Sequence, residues 1–277
     1  MKKNLEFIIL MAIFATTLYV SCSGEGKSVS KEDPKPWNIS ILLDLSDRIT
    51  KKTSGMSQVE KDTAIVSCLI EELKNKIVKN RIVKSMDRIK VYFYPSPSDQ
   101  SIYSKSKLLD VDFSQKDKAS KKQTLKTLDE TFKQSIASIY NASLNDNHWI
   151  GCDIWGFFDS QKAQTYCVKE GYRNILVILS DGFIYHGNNI IKQDNNYSYI
   201  SSHTLSNLNS GLIPCKSIVG DLEVLFLEIN ALPTQSNRIK DILKDWFTGM
   251  NVAKCEIHDT DLPTNIKEVI GSFFKEE

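Results

Sequence analysis

Asn174-Ile175-Leu176-Val177-Ile178-Leu179 is the stretch that decides the fold, and it runs straight into Ser180-Asp181-Gly182. Six residues with apolar side chains at five consecutive places are too few for a core helix. Ending on a turn signal, they fit a strand buried on both faces. A strand covered on both faces needs helices above and below it, and the flanking sequence supplies them. Asp153 to Val168 has a helical pattern before it, and Leu222 to Ile229 reads as a second buried strand after it. Ser236 to Phe247 is then a helix, Ala253 to His258 a strand and Pro263 to Phe274 a final helix.

The same alternation extends towards the amino end. Ile39 to Leu45 is an apolar run that carries Asp44 at its end. Ser57 and Glu60 have capping-box spacing, and the helix they open places Ala64, Ile65, Cys68, Leu69, Leu73 and Ile77 on one face. Cys68 therefore reads as a small buried hydrophobe. Arg88 to Tyr94 alternates and is β-branched and aromatic, as strands are. Lys and Asp dominate 117–122, which reads as an exposed segment, and Thr124 to Tyr140 is a helix. Phe183 to Tyr199, rich in Asn and aromatics, is expected to leave the sheet as an excursion such as a hairpin. Strands alternating with amphipathic helices specify an α/β fold: three layers, a mostly parallel, Rossmann-like central sheet, and helices on both faces. The expectation is one domain over residues 37–277.

The first residues point to export. Lys2 and Lys3 precede an apolar run from Phe7 to Val20, which is short for a membrane span and right for a signal-peptide core. It stops at Val20-Ser21-Cys22. A small residue before a cysteine at that place resembles a bacterial lipoprotein cleavage site, with Tyr19 where that pattern usually has Leu. The resemblance implies a signal peptide over residues 1–21, cleavage after Ser21 and a lipid on Cys22; a plain secretory signal with a nearby cysteine is the alternative. Residues 22–36, rich in Ser, Gly, Lys, Glu and Pro, cannot bury a core and read as a flexible tether. The implied location is the bacterial cell envelope, lipid-anchored.

Charge and cysteines narrow the function. The chain has 35 Lys and Arg against 34 Asp and Glu, so nothing in its charge argues for nucleic acid. The five cysteines beyond the signal form no Cys-x-x-Cys pair, which argues against structural zinc; an odd number cannot all pair internally, and in an oxidising compartment one disulfide with unassigned partners is expected as an option. No P-loop, Rossmann glycine fingerprint or Gly-x-Ser-x-Gly elbow is present.

In open α/β sheets ligands sit beyond the carboxyl ends of the strands. Those ends deliver Asp44, Ser46, Asp47 and Arg48 from the first strand, Ser180 and Asp181 from the strongest one, Asn230 from the next, and Asp259 and Asp261 from the last. Cys152 and Asp153 come from the loop before the 153–168 helix, and His186 lies just beyond Asp181. This set resembles a von Willebrand factor A domain, whose metal-ion-dependent adhesion site uses three loops. Asp44-Leu45-Ser46-Asp47-Arg48 matches the Asp-x-Ser-x-Ser loop except for Arg in the last place. Gly151-Cys152-Asp153 stands where a Thr follows Gly, and Ser180-Asp181-Gly182 matches the third loop.

The resemblance implies Mg²⁺ on Asp44, Ser46 and Asp181, and a protein partner at the cell envelope. Arg48 and Cys152 argue that the site is degenerate. Arg48 removes an oxygen donor and brings a positive charge, and a thiol suits a hard cation poorly. The expectation is a site that holds Mg²⁺ weakly or not at all, in a non-enzymatic binding module, with Arg48, Cys152, Asp153 and His186 in the binding face. Arg48 would pair with Asp44 or Asp181 and receive the partner's carboxylate. Two alternatives stay open: a metal-dependent hydrolase using Asp44, Asp153 and Asp181, and a structural subunit of an envelope complex.

Overall fold

Every residue of Trp37–Leu43 is buried, as a strand covered on both faces requires. The computed structural model describes residues 34–53, 55–146 and 151–275. The expected signal peptide (1–21), Cys22 and most of the expected tether (22–36) lie outside them. Six strands form the central sheet: β1 (Trp37–Leu43), β2 (Arg88–Tyr92), β3 (Asp110–Asp112), β4 (Arg173–Leu179), β5 (Leu222–Ile229) and β6 (Lys254–Asp259). Their order is β6-β5-β4-β1-β2-β3. All neighbours pair in parallel except β3, which runs antiparallel along β2.

The helices are α1 (Gln58–Lys79), α2 (Gln100–Ser106), α3 (Lys118–Asp146), α4 (Ile154–Asp159), α5 (Lys162–Cys167), α6 (Ser202–Ser206), α7 (Pro233–Gly249) and α8 (Pro263–Phe274). They fall into two layers because side chains alternate along a strand. Ile39, Ile41, Leu43, Ile175 and Val177 pack with α1, α3 and α8 through Leu69, Phe132 and Phe273. Leu42, Leu176 and Ile178 face the other way, onto Phe158 of α4 and Leu243 and Phe247 of α7. The fold is thus α/β, with a mostly parallel central sheet and helices on both faces.

The capping box is formed: Glu60 N donates to Ser57 Oγ, and Ser57 N donates to Glu60 Oε2 at 2.8 Å. Four expectations change. The 117–122 segment is the start of α3, and Lys121 is buried because its Nζ reaches the carbonyls of Val83 and Ser85. The 153–168 helix is two helices, interrupted at Gln161, whose φ of 59° no α-helix accommodates. Cys68 is half-buried, and all five cysteines of the described residues are free thiols. The excursion after β4 does hold a hairpin, Lys192–Gln193 against Asn196–Tyr197, but its first strand, Tyr185–His186, pairs with Gly151–Cys152 instead. Among the described residues no helix is long and apolar enough to cross a membrane.

Candidate functional site

The strand order reverses direction at β1 and β4, so the crevice of this sheet opens where those two strands end. Asp44 leaves β1 there with its N–H still on the carbonyl of Leu179, 3.1 Å away. Asp44 is 2 % exposed, and both its carboxylate oxygens take in-chain donors. Ser46 N donates to Oδ1 at 2.8 Å, and Ser180 Oγ donates to Oδ2 at 2.7 Å. The two strand ends are thereby tied through side chains as well as through the sheet.

Arg48 turns inwards. Its side chain is 2 % exposed. Nε donates to the Asp44 carbonyl at 3.0 Å and lies 3.8 Å from Asp44 Oδ2; Nη2 donates to the Leu179 carbonyl at 2.9 Å and to Asp62 Oδ2 at 2.6 Å. Asp62, on α1, is also reached by Tyr140 Oη and by Gln58 Nε2. Burial works against the guanidinium charge, but Asp62, Tyr140 and Asp44 outweigh it and raise the Arg48 pKa. Burial, then Asp62, likewise pushes the Tyr140 phenol well up. The network continues through Gln58 Nε2 to Glu228 Oε2 at 3.1 Å, where Lys61 Nζ and Thr260 Oγ1 also arrive, each at 3.0 Å. Glu228 is buried near the end of β5 with φ at 80°, where the β5–β6 register shifts. The bulge accompanies the charged side chain's place beside the α1 residues.

Asp181 brings a further buried carboxylate, the second to emerge from a strand end at the crevice. Phe183 N donates to Oδ1 at 3.2 Å, and Lys51 Nζ donates to Oδ2 at 3.0 Å. Lys51 is 47 % exposed, so this cation meets both the crevice and solvent. Burial, then repulsion from Asp44, raises the Asp181 pKa above the usual carboxylate range, with Lys51 opposing. Cys152 is buried beside these groups; burial, then Asp44, pushes its thiol well up, which favours the neutral thiol over the thiolate.

Asp44, Arg48, Ser180, Asp181 and Cys152 thus converge, with Ser46 contributing its backbone N–H. Asp153 does not join them as a free carboxylate. It caps α4 through Gly156 N at 2.7 Å and takes Asn189 Nδ2 on both oxygens. His186 is 6 % exposed with both ring nitrogens unpartnered, and it pairs opposite Gly151. Asp259 and Asp261 serve α7 and α8: Asp259 takes Ser236 and Lys240, and Asp261 takes Asn265. A cleft of about 400 Å³ adjoins the crevice, bounded by Leu43, Leu45, Phe93, Tyr94, Ile102 and Cys152 among others.

Three residues central to this arrangement escape a reading of motifs. Lys51 sits in an unpatterned loop. Asp62 lies on a helix face that reads as amphipathic. Glu228 alone left a signal, a charge inside the apolar run Leu222 to Ile229.

The donor set suits a hard dication poorly. Mg²⁺ wants about six oxygens, whereas the oxygens of Asp44 and Asp181 already take in-chain donors and two cationic side chains. Among the described residues no cluster of His, Cys, Asp and Glu has the arrangement of a metal site. Comparisons with protein-family models, with curated proteins and with solved structures find no match to this chain.

The raised pKa of Asp181 gives a pH prediction. Its contribution to stability is fully present below the ordinary carboxylate pKa and is lost as pH rises through the folded value, because the native state holds the proton longer. Asp181→Asn is therefore expected to raise the urea midpoint at neutral pH and to leave it nearly unchanged in acid. The Lys51 pair that the substitution loses is half-exposed and worth little. An equal or lower midpoint at neutral pH would refute this balance.

Proposed function

We propose that this chain is a non-enzymatic lipoprotein of the bacterial cell envelope, anchored through a lipid on Cys22, whose von Willebrand factor A-like domain binds a protein partner at the carboxyl ends of its strands without Mg²⁺. The observation that carries the reading is the pair of in-chain cations at the crevice. Arg48 neutralises Asp44 and Asp62 from inside, and Lys51 holds Asp181 from the rim. Where the resembled family would place a metal, this chain supplies an ammonium and a guanidinium. Arg48 is committed to the interior, so Lys51 is the cation that receives an acidic group of the partner. Tyr185, 43 % exposed, is paired opposite Cys152, and Leu232 and Leu262, 67 % and 48 % exposed, follow the ends of β5 and β6. Exposed apolar side chains at the carboxyl ends of the strands suit a protein surface better than a small polar substrate.

The test is recovery of the partner on the full acylated chain, with and without EDTA, and with Lys51→Glu. Retention in EDTA and at least about tenfold weaker binding by the variant are expected, a change of roughly 1.4 kcal/mol. Release by EDTA and return with Mg²⁺ would overturn the metal-free reading. Metal-dependent turnover of a phosphoester, abolished by Asp44→Ala, would replace the binding module with a hydrolase. Incorporation of labelled fatty acid, lost in Cys22→Ser, tests the anchor separately.

A further inference from the structure

The opposite end of the sheet carries an unassigned feature. From Leu73 to Met86 the chain reads Leu-Lys-Asn-Lys-Ile-Val-Lys-Asn-Arg-Ile-Val-Lys-Ser-Met, with five cations and no acid. Lys76 is consumed internally, on Asp87 and on the carbonyl of Lys35. Lys79 and Arg81 are exposed, and close to them in the chain stand Val78, Val83 and Met86 at 61 %, 48 % and 50 % exposure. Three exposed apolar side chains and two exposed cations within nine residues are more than scattered surface hydrophobes. The loop is also braced. Lys121 Nζ holds the carbonyls of Val83 and Ser85, and Lys84 N donates to the Arg81 carbonyl at 2.9 Å. Arg81 is kept at φ 67°, a conformation that Gly or Asn would take at less cost. The acid that follows, Asp87, is buried and takes Lys76, Ser85 Oγ and the N–H of Trp37, so it is not turned towards Lys79 or Arg81.

The position of the patch identifies its occupant. The contacts Lys76 Nζ to Lys35 O, at 2.8 Å, and Trp37 N to Asp87 Oδ1, at 2.7 Å, place the entry of the chain into the domain at this same end. We propose that residues 78–86 form a seat on an anionic lipid surface, with Lys79 and Arg81 among the headgroups and Val78, Val83 and Met86 in the interface. The inference rests on the lipid-anchor reading and deepens it. An acyl chain on a short tether fixes only distance, whereas a basic and apolar seat fixes orientation. With the amino ends of the strands towards the bilayer, the crevice of Asp44, Asp181 and Lys51 faces away from it, towards a partner.

The experiment is amide hydrogen exchange on the full acylated chain bound to vesicles of phosphatidylcholine, with or without phosphatidylglycerol. Residues 78–86 are expected to gain protection on the anionic vesicles only, and to lose it at high salt. Each basic residue near such a surface strengthens binding roughly fivefold, so the double variant Lys79→Glu/Arg81→Glu is expected to abolish the protection while β1 and β4 exchange unchanged. Equal exchange of 78–86 on both vesicles overturns the proposal, as does protection that arises only when envelope proteins are added. Flotation separates the two readings. A chain that floats with both vesicles but leaves 78–86 unprotected keeps the anchor and loses the seat; one that floats only with anionic vesicles keeps the seat and loses the anchor.

Discussion

Arg48→Ala is expected to destabilise the domain by about 3–5 kcal/mol, the magnitude seen when one partner of a buried ion pair is removed. The guanidinium is 2 % exposed and is the counter-charge of Asp62, which is fully buried, and of Asp44. Its removal leaves two carboxylates in the interior with hydroxyl, amide and backbone donors but without a neighbouring cation. The Leu179 and Asp44 carbonyls lose donors in the same step. A domain of ordinary stability, about 5–15 kcal/mol, would lose a large part of it. Arg48→Lys should recover little, since one ammonium cannot reach the three acceptors that the planar fork spans. The double variant Arg48→Met/Asp62→Leu should recover much more, because it removes charge and counter-charge together. Urea unfolding followed by circular dichroism measures all three. A shift below about 1 kcal/mol for Arg48→Ala would mean that the buried pair is solvated, and the account of the crevice would fail with it.

Gly182→Val is expected to lower stability by about 3 kcal/mol. Two independent causes combine. Gly182 has φ at 86°, where an L-residue carries a penalty of roughly 1–2 kcal/mol. A Cβ there would also stand 2.7 Å from Ile229 Cδ1 and 2.9 Å from Ile239 Cγ2, both packed in the core on the α4 and α7 side of the sheet. Overpacking of that kind costs about 1–3 kcal/mol. Gly182→Ala combined with Ile239→Val should relieve part of the collision and none of the backbone penalty. The expected order is therefore wild type, then the double variant, then Gly182→Val. A Gly182→Val protein with a wild-type urea midpoint would show that the turn after Asp181 is looser than drawn, and the hold of Lys51 on Asp181 with it.

The strands were legible because their causes are local. Leu222–Ile229 and the last helix, Pro263–Phe274, end where the pattern of apolar residues and prolines places them. The other main strands differ from the expected bounds by one or two residues. Strand β3 was not legible. Asp110-Val111-Asp112 has one apolar residue, and what holds it is pairing with β2 and the ion pairs Arg88–Asp112 and Lys90–Asp110, partners roughly twenty residues away. The break at Gln161 was hidden for a related reason. No proline or glycine marks it, and the turn is set by how α4 and α5 pack.

The candidate site divides in the same way. Asp44, Ser180 and Asp181 were readable from sequence, because a polar residue directly after a buried strand must emerge at its carboxyl end. Arg48 was readable as a cation near Asp44, but its direction was not. Its partner Asp62 lies fourteen residues on, on the helix that returns beneath the loop, and only the packing of α1 and α3 puts Asp62, Gln58 and Tyr140 within reach. Lys51 was invisible for the opposite reason: nothing local distinguishes it, and its meaning comes from Asp181, a hundred and thirty residues away. By itself the sequence determined the α/β alternation, the buried strands and the residues that emerge from their ends, since these follow from periodicity along the chain. The tertiary structure alone decided which charges meet, turning Arg48 inwards and bringing Lys51 to the crevice. Buried charges must find counter-charges wherever the fold supplies them, and that requirement has no signature in local sequence.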